Sequence, residues 1–231
     1  MSSCVTEYAL NIPAMTALKG KKVILASSSP RRKEILSQIG LNPLIIPSKF
    51  AENLPKSDYA DSLGDYARAT AEEKALDVYI QQVKENPEDP PDMVIGADTV
   101  SILEQEIFEK PETKDNNFRM LQELNDRRHD IVTGVAIVTP QIQTPGYLVR
   151  SFTETTLVHF ADNDRTLLKA YVDSGEGLDK AGGYALQERG CLLIKKIEGD
   201  FNNARGFPLH AFVAFLSDLL EDEELFEDEL L

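Results

Sequence analysis

Tryptophan is absent, and cysteine occurs twice and histidine three times in 231 residues. Cys4 and Cys191 cannot assemble a structural zinc set between them, and they make no disulfide framework. His129, His159 and His210 lie far apart without His-x-x-x-His spacing, which argues against a three-histidine metal centre. No run approaches the roughly 20 apolar residues of a membrane helix. Residues 1–20 hold one lysine, no arginine, an early Glu7 and no apolar signal run, so neither export nor mitochondrial targeting is expected. These features together read as a soluble, cytoplasmic protein with no membrane partner. Basic residues are outnumbered 24 to 39, a net charge of −15. That excess opposes passive binding to a nucleic-acid backbone, but a nucleotide enzyme needs only a locally basic site. The Gly-x-x-x-x-Gly-Lys-Ser/Thr and Gly-x-Gly-x-x-Gly frames are missing, as is the Gly-x-Ser-x-Gly elbow of hydrolases.

What is present is ordinary globular material, 42% hydrophobic and 27% charged, enough to bury a core. Three parts are expected: a weakly helical leader at 1–20, a single catalytic domain at 21–220, and an acidic tail at 221–231. The tail holds seven acids and no base. Its Leu225, Phe226, Leu230 and Leu231 leave open either a solvated end or a docking segment. Strands are predicted at 21–26, 44–47, 93–103, 106–108, 130–138, 148–160 and 191–197. Helical spacing covers 31–39, 57–85 (as one helix or two), 118–124, 164–174 and 209–220. Alternating helices and strands, with antiparallel pairs in the second half, make this an α/β chain with a mixed sheet.

Four places could carry chemistry. Ser27-Ser28-Ser29-Pro30-Arg31-Arg32 joins a strand to a helix, with Ser29 at the N-cap and Pro30 in the first turn. Free N–H groups, hydroxyls and guanidiniums suit an anion; a plain cap with surface arginines is the other reading. Successive helical residues point about 100° apart, so Arg31 and Arg32 are expected to face different partners. Asp98, in Ala97-Asp98-Thr99, sits in an apolar strand where a carboxylate must be paired, hydrogen-bonded or metal-bound, unless it caps the strand's end. Lys74 lies on the apolar stripe of its helix, and Lys110 precedes a proline; each could neutralise a phosphate or be solvated. Asp179-Lys180-Ala181-Gly182-Gly183-Tyr184-Ala185-Leu186-Gln187 lets backbone approach a ligand and ends in a side chain that both donates and accepts.

In this order the segments resemble the Maf family of nucleoside-triphosphate pyrophosphatases. The resemblance runs from about Lys22 to Leu216. It rests on Ala26 to Arg32 with Glu34-Ile35-Leu36, on Tyr66-Ala67-Arg68 and Glu73-Lys74-Ala75, and on Gly96-Ala97-Asp98-Thr99-Val100. Glu109-Lys110-Pro111, His129 with Thr133-Gly134-Val135, Asp179 to Tyr184 and Gly206-Phe207-Pro208 complete it. It implies an elongated mixed β-sheet with flanking helices and two lobes around a central cleft, of the inosine-triphosphatase-like kind. It also implies a homodimer, a divalent cation (Mg²⁺ or Mn²⁺), and hydrolysis of a nucleoside triphosphate to the monophosphate and pyrophosphate.

By resemblance Asp98 takes the proton acceptor's position, and Glu52 with Asp98 the metal's. Arg31, Thr99 and Gln187 fall where the dTTP- and UTP-preferring subfamily differs from its 7-methyl-GTP-preferring sister. Ser29, Arg32, Lys74 and Lys110 would face the triphosphate. Two places depart from the family pattern: Glu188 follows Gln187 where glycine is usual, and Asn125-Asp126-Arg127 stands for Ser-Gly-Arg. A nucleotide-binding regulator of growth or division with little turnover is the alternative reading.

Overall fold

The computed structural model describes residues 3–222. All of the predicted tail beyond Asp222 lies outside the described residues.

Seven strands form one mixed sheet: β1 (Val23–Leu25), β2 (Leu44–Ile45), β3 (Met93–Leu103), β4 (Glu106–Phe108), β5 (Arg128–Pro140), β6 (Tyr147–Phe160) and β7 (Ile194–Glu198). The order is β2-β1-β3-β5-β6-β7, with β4 on the same flank of β3 as β1. β1 runs parallel to β2 and β3, and every other pairing is antiparallel. The helices are α1 (Pro13–Ala17), α2 (Pro30–Gln38), α3 (Leu63–Glu85), α4 (Lys114–Leu124), α5 (Arg165–Ser174), α6 (Phe201–Ala204) and α7 (Leu209–Glu221).

The long strands β3, β5 and β6 run through two packed halves. One half gathers β1, α1, α2 and α7 around Met93, Ile95, Ala97 and Val135. The other gathers α4 and α5 around Leu103, Ile131 and Val158. On the opposite face α3 serves both halves. Its Tyr66 and Ala67 lie against Val100 and Val132, and its Ala71, Ala75 and Val78 against Val94 and Ala136. At 1.5 Å per residue its 23 residues span about 34 Å, long enough to cross the sheet.

Two glycines fix the depth of α3. A Cβ at Gly96 would lie 2.2 Å from the Ala71 carbonyl oxygen, and one at Gly134 would lie 2.4 Å from Arg68 Cα. The helix therefore rests on strand backbone, which the small Ala67, Ala71 and Ala75 also require. That seating puts Lys74, one residue before Ala75, over Asp98, two residues past Gly96.

The residues set apart as a leader are packed rather than appended: Cys4, Val5, Ala14, Met15 and Leu18 are buried with α2, β1 and α7. Other differences follow local chemistry. α4 begins at Lys114, four residues before the apolar periodicity starts, because the Thr113 side chain accepts the Asn116 N–H. Residues 189–193 form a 3₁₀ turn, so β7 starts at Ile194 rather than Cys191. The 57–85 stretch divides into a 3₁₀ turn at Lys56–Tyr59 and α3. No described helix is long and apolar enough to cross a membrane.

Candidate active site

β1 pairs with β3 at residues 93–95 and β4 pairs with it at 101–103, leaving 96–100 without a strand on that side. Asp98 and Thr99 lie in this gap, beside the carboxyl end of β1, where open α/β sheets bind ligands. Strand alternation sends the two side chains to opposite faces.

On the α3 face, Lys74 Nζ stands 2.7 Å from Asp98 Oδ1 and 3.0 Å from Glu52 Oε1. Lys74 is only 9% exposed, so its solvated reading is excluded. Asp98 is in mid-strand and does not cap a turn. Among the described residues its Oδ2 has no hydrogen-bond partner. Glu52 is more exposed and comes from the loop after β2, with φ at +50°. That left-handed backbone is costly for a non-glycine residue and marks a locally constrained position. Two carboxylates thus converge on one cation.

On the other face Arg32 bridges three elements. Its Nε donates to the Gly206 carbonyl (2.9 Å), one terminal nitrogen to Ser27 Oγ (3.1 Å) and the other to Thr99 Oγ1 (3.1 Å). Thr99 Oγ1 also lies 3.0 Å from Thr133 Oγ1, its register partner on β5. All of these acceptors are neutral, and no described carboxylate is within ion-pairing distance of Arg32. Burial lowers the Arg32 pKa, yet a guanidinium stays protonated at neutral pH. The guanidinium on this face therefore has no direct carboxylate partner, and Asp98 and Glu52 support its charge only at longer range. Arg31 points elsewhere, as the helical spacing predicts. Burial lowers its pKa too, while Asp179, Glu188 and Tyr171 support its charge and Arg205 opposes it. Tyr171, Asp179 and Glu188 belong to the segment that also bears Gln187.

Ser29 occupies the N-cap, but its side chain makes no capping bond; its N–H instead donates to Ser27 Oγ at 3.2 Å. The Ser29 hydroxyl is thus uncommitted. Gln187 is half-buried with Oε1 buried and unpartnered. Lys110 is exposed at the end of the β4 connection and joins neither cluster. The preceding Glu109 accepts from Tyr66 Oη (2.9 Å) and Lys56 Nζ (2.6 Å), tying the 56–59 turn to that connection. Sequence reading named Thr99 and Arg32 as site candidates but did not join Ser27 and Thr133 to them as partners. Thr133 becomes a partner only through strand register, which no local pattern displays.

A family model described as Maf-like protein matches residues 22–219. The chain belongs to the Maf family. Among curated Maf relatives, a human protein named "Probable bifunctional dTTP/UTP pyrophosphatase/methyltransferase protein" is 45% identical over 205 residues, 87% of this chain but 32% of that protein. A Schizosaccharomyces pombe protein named dTTP/UTP pyrophosphatase is 40% identical over 94% of this chain and 91% of its own. One of the same name from Ruminiclostridium cellulolyticum is 35% identical over 87% and 97%. The two departures from the Maf pattern also have geometry. Asp126 takes φ +54° where the family has glycine, a conformation aspartate tolerates better than most residues. Glu188 has φ −116°, which needs no glycine.

Proposed function

We propose that this chain hydrolyses dTTP and UTP to the monophosphate and pyrophosphate. The observation that carries the proposal is the uncovered stretch of β3, with a lysine-held carboxylate on one face and, on the other, a guanidinium without a direct carboxylate partner. Relatives bearing the name dTTP/UTP pyrophosphatase along nearly their whole length support the substrate.

In this reading Asp98 Oδ2 accepts a proton from water as the water oxygen bonds to the α-phosphorus. The bond from that phosphorus to the bridging oxygen breaks, and pyrophosphate leaves with the electron pair. Lys74 holds Asp98 in place through Oδ1. Arg32, the Ser29 hydroxyl and the N–H groups of α2 receive phosphate oxygens whose charge grows as the bond breaks, and Lys110 meets the departing end. On the specificity side, Gln187 offers Oε1 to the N3–H and its amide N–H to O4 of uracil or thymine, with Arg31 and Thr99 beside it. A buried acceptor without a partner fits that role.

A divalent cation, Mg²⁺ or Mn²⁺, also belongs to this reading. Asp98 and Glu52 converge within 3.0 Å of one ammonium, and no described cluster supplies three acidic, histidine or cysteine ligands. Two carboxylates with substrate phosphates and waters match how Mg²⁺ is ordinarily held, so the donor set fits. The cation would supply charge neutralisation on the phosphates. A cytoplasmic homodimer acting on free nucleotides, without nucleic-acid or membrane partners, completes the proposal; the net charge of −15 supports the absence of nucleic acid.

The test is pyrophosphate release from dTTP, UTP, CTP, dATP, GTP and 7-methyl-GTP, each beside Asp98→Asn. Release from dTTP and UTP that disappears in the variant is expected. Tight UTP binding with no release from any nucleotide would instead support the regulator.

A further inference from the structure

Gln187 lies in a short turn whose two ends meet. Gly190 touches Ala185 so closely that a Cβ there would stand 2.5 Å from the Ala185 carbonyl oxygen. One side chain from outside grips this turn at its far end. Glu176, just past the C-terminus of α5, accepts the Gly190 N–H on Oε1 (3.0 Å) and the Arg189 N–H on Oε2 (3.2 Å). The near end is gripped from α5 itself: the buried Tyr171 hydroxyl accepts the Ala185 N–H at 3.0 Å. The Glu176 carboxylate also raises the Tyr171 pKa, after burial. Between them stand Leu186, Gln187 and Glu188, and the charges of Tyr171 and Glu188 act on Arg31 in the first turn of α2. Nothing else among the described residues bonds the Gln187 amide oxygen.

We propose that Glu176, with Tyr171, is a positioning residue for base selection: it shapes the 185–190 turn so that the Gln187 amide meets the pyrimidine edge. The inference rests on the pyrimidine reading of the site. It assigns a selectivity role to residues that touch no reacting atom. Both carboxylate oxygens are in use, so replacing one with an amide nitrogen sets a donor against a donor and loosens the far end. A loosened turn lets Gln187 flip or withdraw, which weakens discrimination between N3–H/O4 and the cytosine edge without disturbing Asp98.

The experiment compares wild type, Glu176→Gln, Tyr171→Phe, Gln187→Ala and the double variant of Glu176→Gln with Gln187→Ala, on UTP and CTP. Glu176→Gln is expected to lower kcat/KM for UTP roughly tenfold, through KM rather than kcat, and to narrow the UTP-over-CTP preference by a similar factor. Tyr171→Phe removes only a hydroxyl, and the same change in preference, smaller in size, is expected from it should Glu176→Gln fold poorly. Removing Gln187 should cost less on the Glu176→Gln background than in wild type, because neighbouring residues acting through one contact are not additive. Equal losses on UTP and CTP, or strict additivity in the cycle, would overturn the positioning role. If Gln187→Ala erases selectivity while Glu176→Gln and Tyr171→Phe retain it, the positioning role alone fails. If wild type releases pyrophosphate from neither nucleotide, the functional reading fails and takes this inference with it.

Discussion

Asp98 and Thr99 are neighbours in sequence, and their side chains belong to different chemistries. Asp98 looks toward α3 and meets full charges, Lys74 at 2.7 Å with Glu52 beyond it. Thr99 looks toward α2 and meets one neutral hydroxyl, a carbonyl and one guanidinium. The charged side rests on a helix seated against bare strand backbone, and its partners come from α3 and one constrained loop residue. The hydrogen-bonded side is assembled from the loop after β1, α2, β5 and the turn before α7, with Gln187 in a turn held by side-chain clasps. One strand thus separates a compact electrostatic centre suited to moving a proton from a wider set of directional contacts suited to reading a ligand. Substitutions on the first side should cut turnover, and those on the second should cut affinity and choice.

The largest effect is expected from Asp98→Asn, which keeps shape but removes the proposed proton acceptor: kcat falls by roughly 10³-fold while the melting temperature holds or changes little. Pyrophosphate release measured beside thermal unfolding checks both halves. A variant as active as wild type would collapse the contrast between the two faces. Next comes Lys74→Met, which leaves two carboxylates facing each other without their cation. A loss of about 10²-fold in kcat and about 2 kcal/mol of stability is expected, the latter reduced from the fully buried case because Glu52 is partly solvated. Denaturant unfolding and steady-state rates report it.

A third expectation concerns pH and the core behind the recognition side. His129 is buried, with Nε2 2.7 Å from Tyr184 Oη, three residues before Gln187. Burial, then the charge of His159, pushes its pKa down to about 3. The native state thus requires a neutral ring. Between about pH 6.5 and 3 the unfolded chain binds the extra proton, so stability is complete above that range and falls as pH drops through it. At pH 5 His129 alone should cost about 2 kcal/mol relative to pH 7, and His129→Gln should flatten that slope in denaturant titrations. The smallest effect is expected from Thr99→Val, which takes an acceptor from Arg32 and a partner from Thr133. A decrease of about tenfold in kcat/KM, carried by KM, corresponds to roughly 1.4 kcal/mol. A fall in kcat alone would place Thr99 with the chemistry instead.

Much of the architecture could be read in advance because it rests on local pattern. Apolar runs at Met93–Leu103 and Asp130–Val138, Pro30 at a helix start, and the Asp164 and Gly175 boundaries of α5 are determined within a few residues. The limits were also local. Residues 1–20 read as a leader because their helical periodicity is weak, yet Met15 and Leu18 fill space that only α2 and α7 create. Lys74 read as solvated or phosphate-facing; its burial depends on Gly96 and Gly134 letting α3 approach the sheet. Ser29 read as a capping side chain, but Ser27 takes its N–H after the chain has turned.

The strand and helix periods, the acidic balance, the family and the residue types a phosphate site requires are legible in the amino-acid order alone. The periods depend on neighbours within one or two turns, where sterics and hydrophobic spacing act directly. Which of those residues become partners was settled by the packing of distant elements. It paired Thr99 with Thr133 through antiparallel register, set Lys74 between Asp98 and Glu52, and clasped the Gln187 turn with Glu176. Such pairings join residues 13 to 67 positions apart, from Glu176 with Arg189 to Arg32 with Thr99. Their energies depend on distances and burial that exist only once the sheet has closed against its helices.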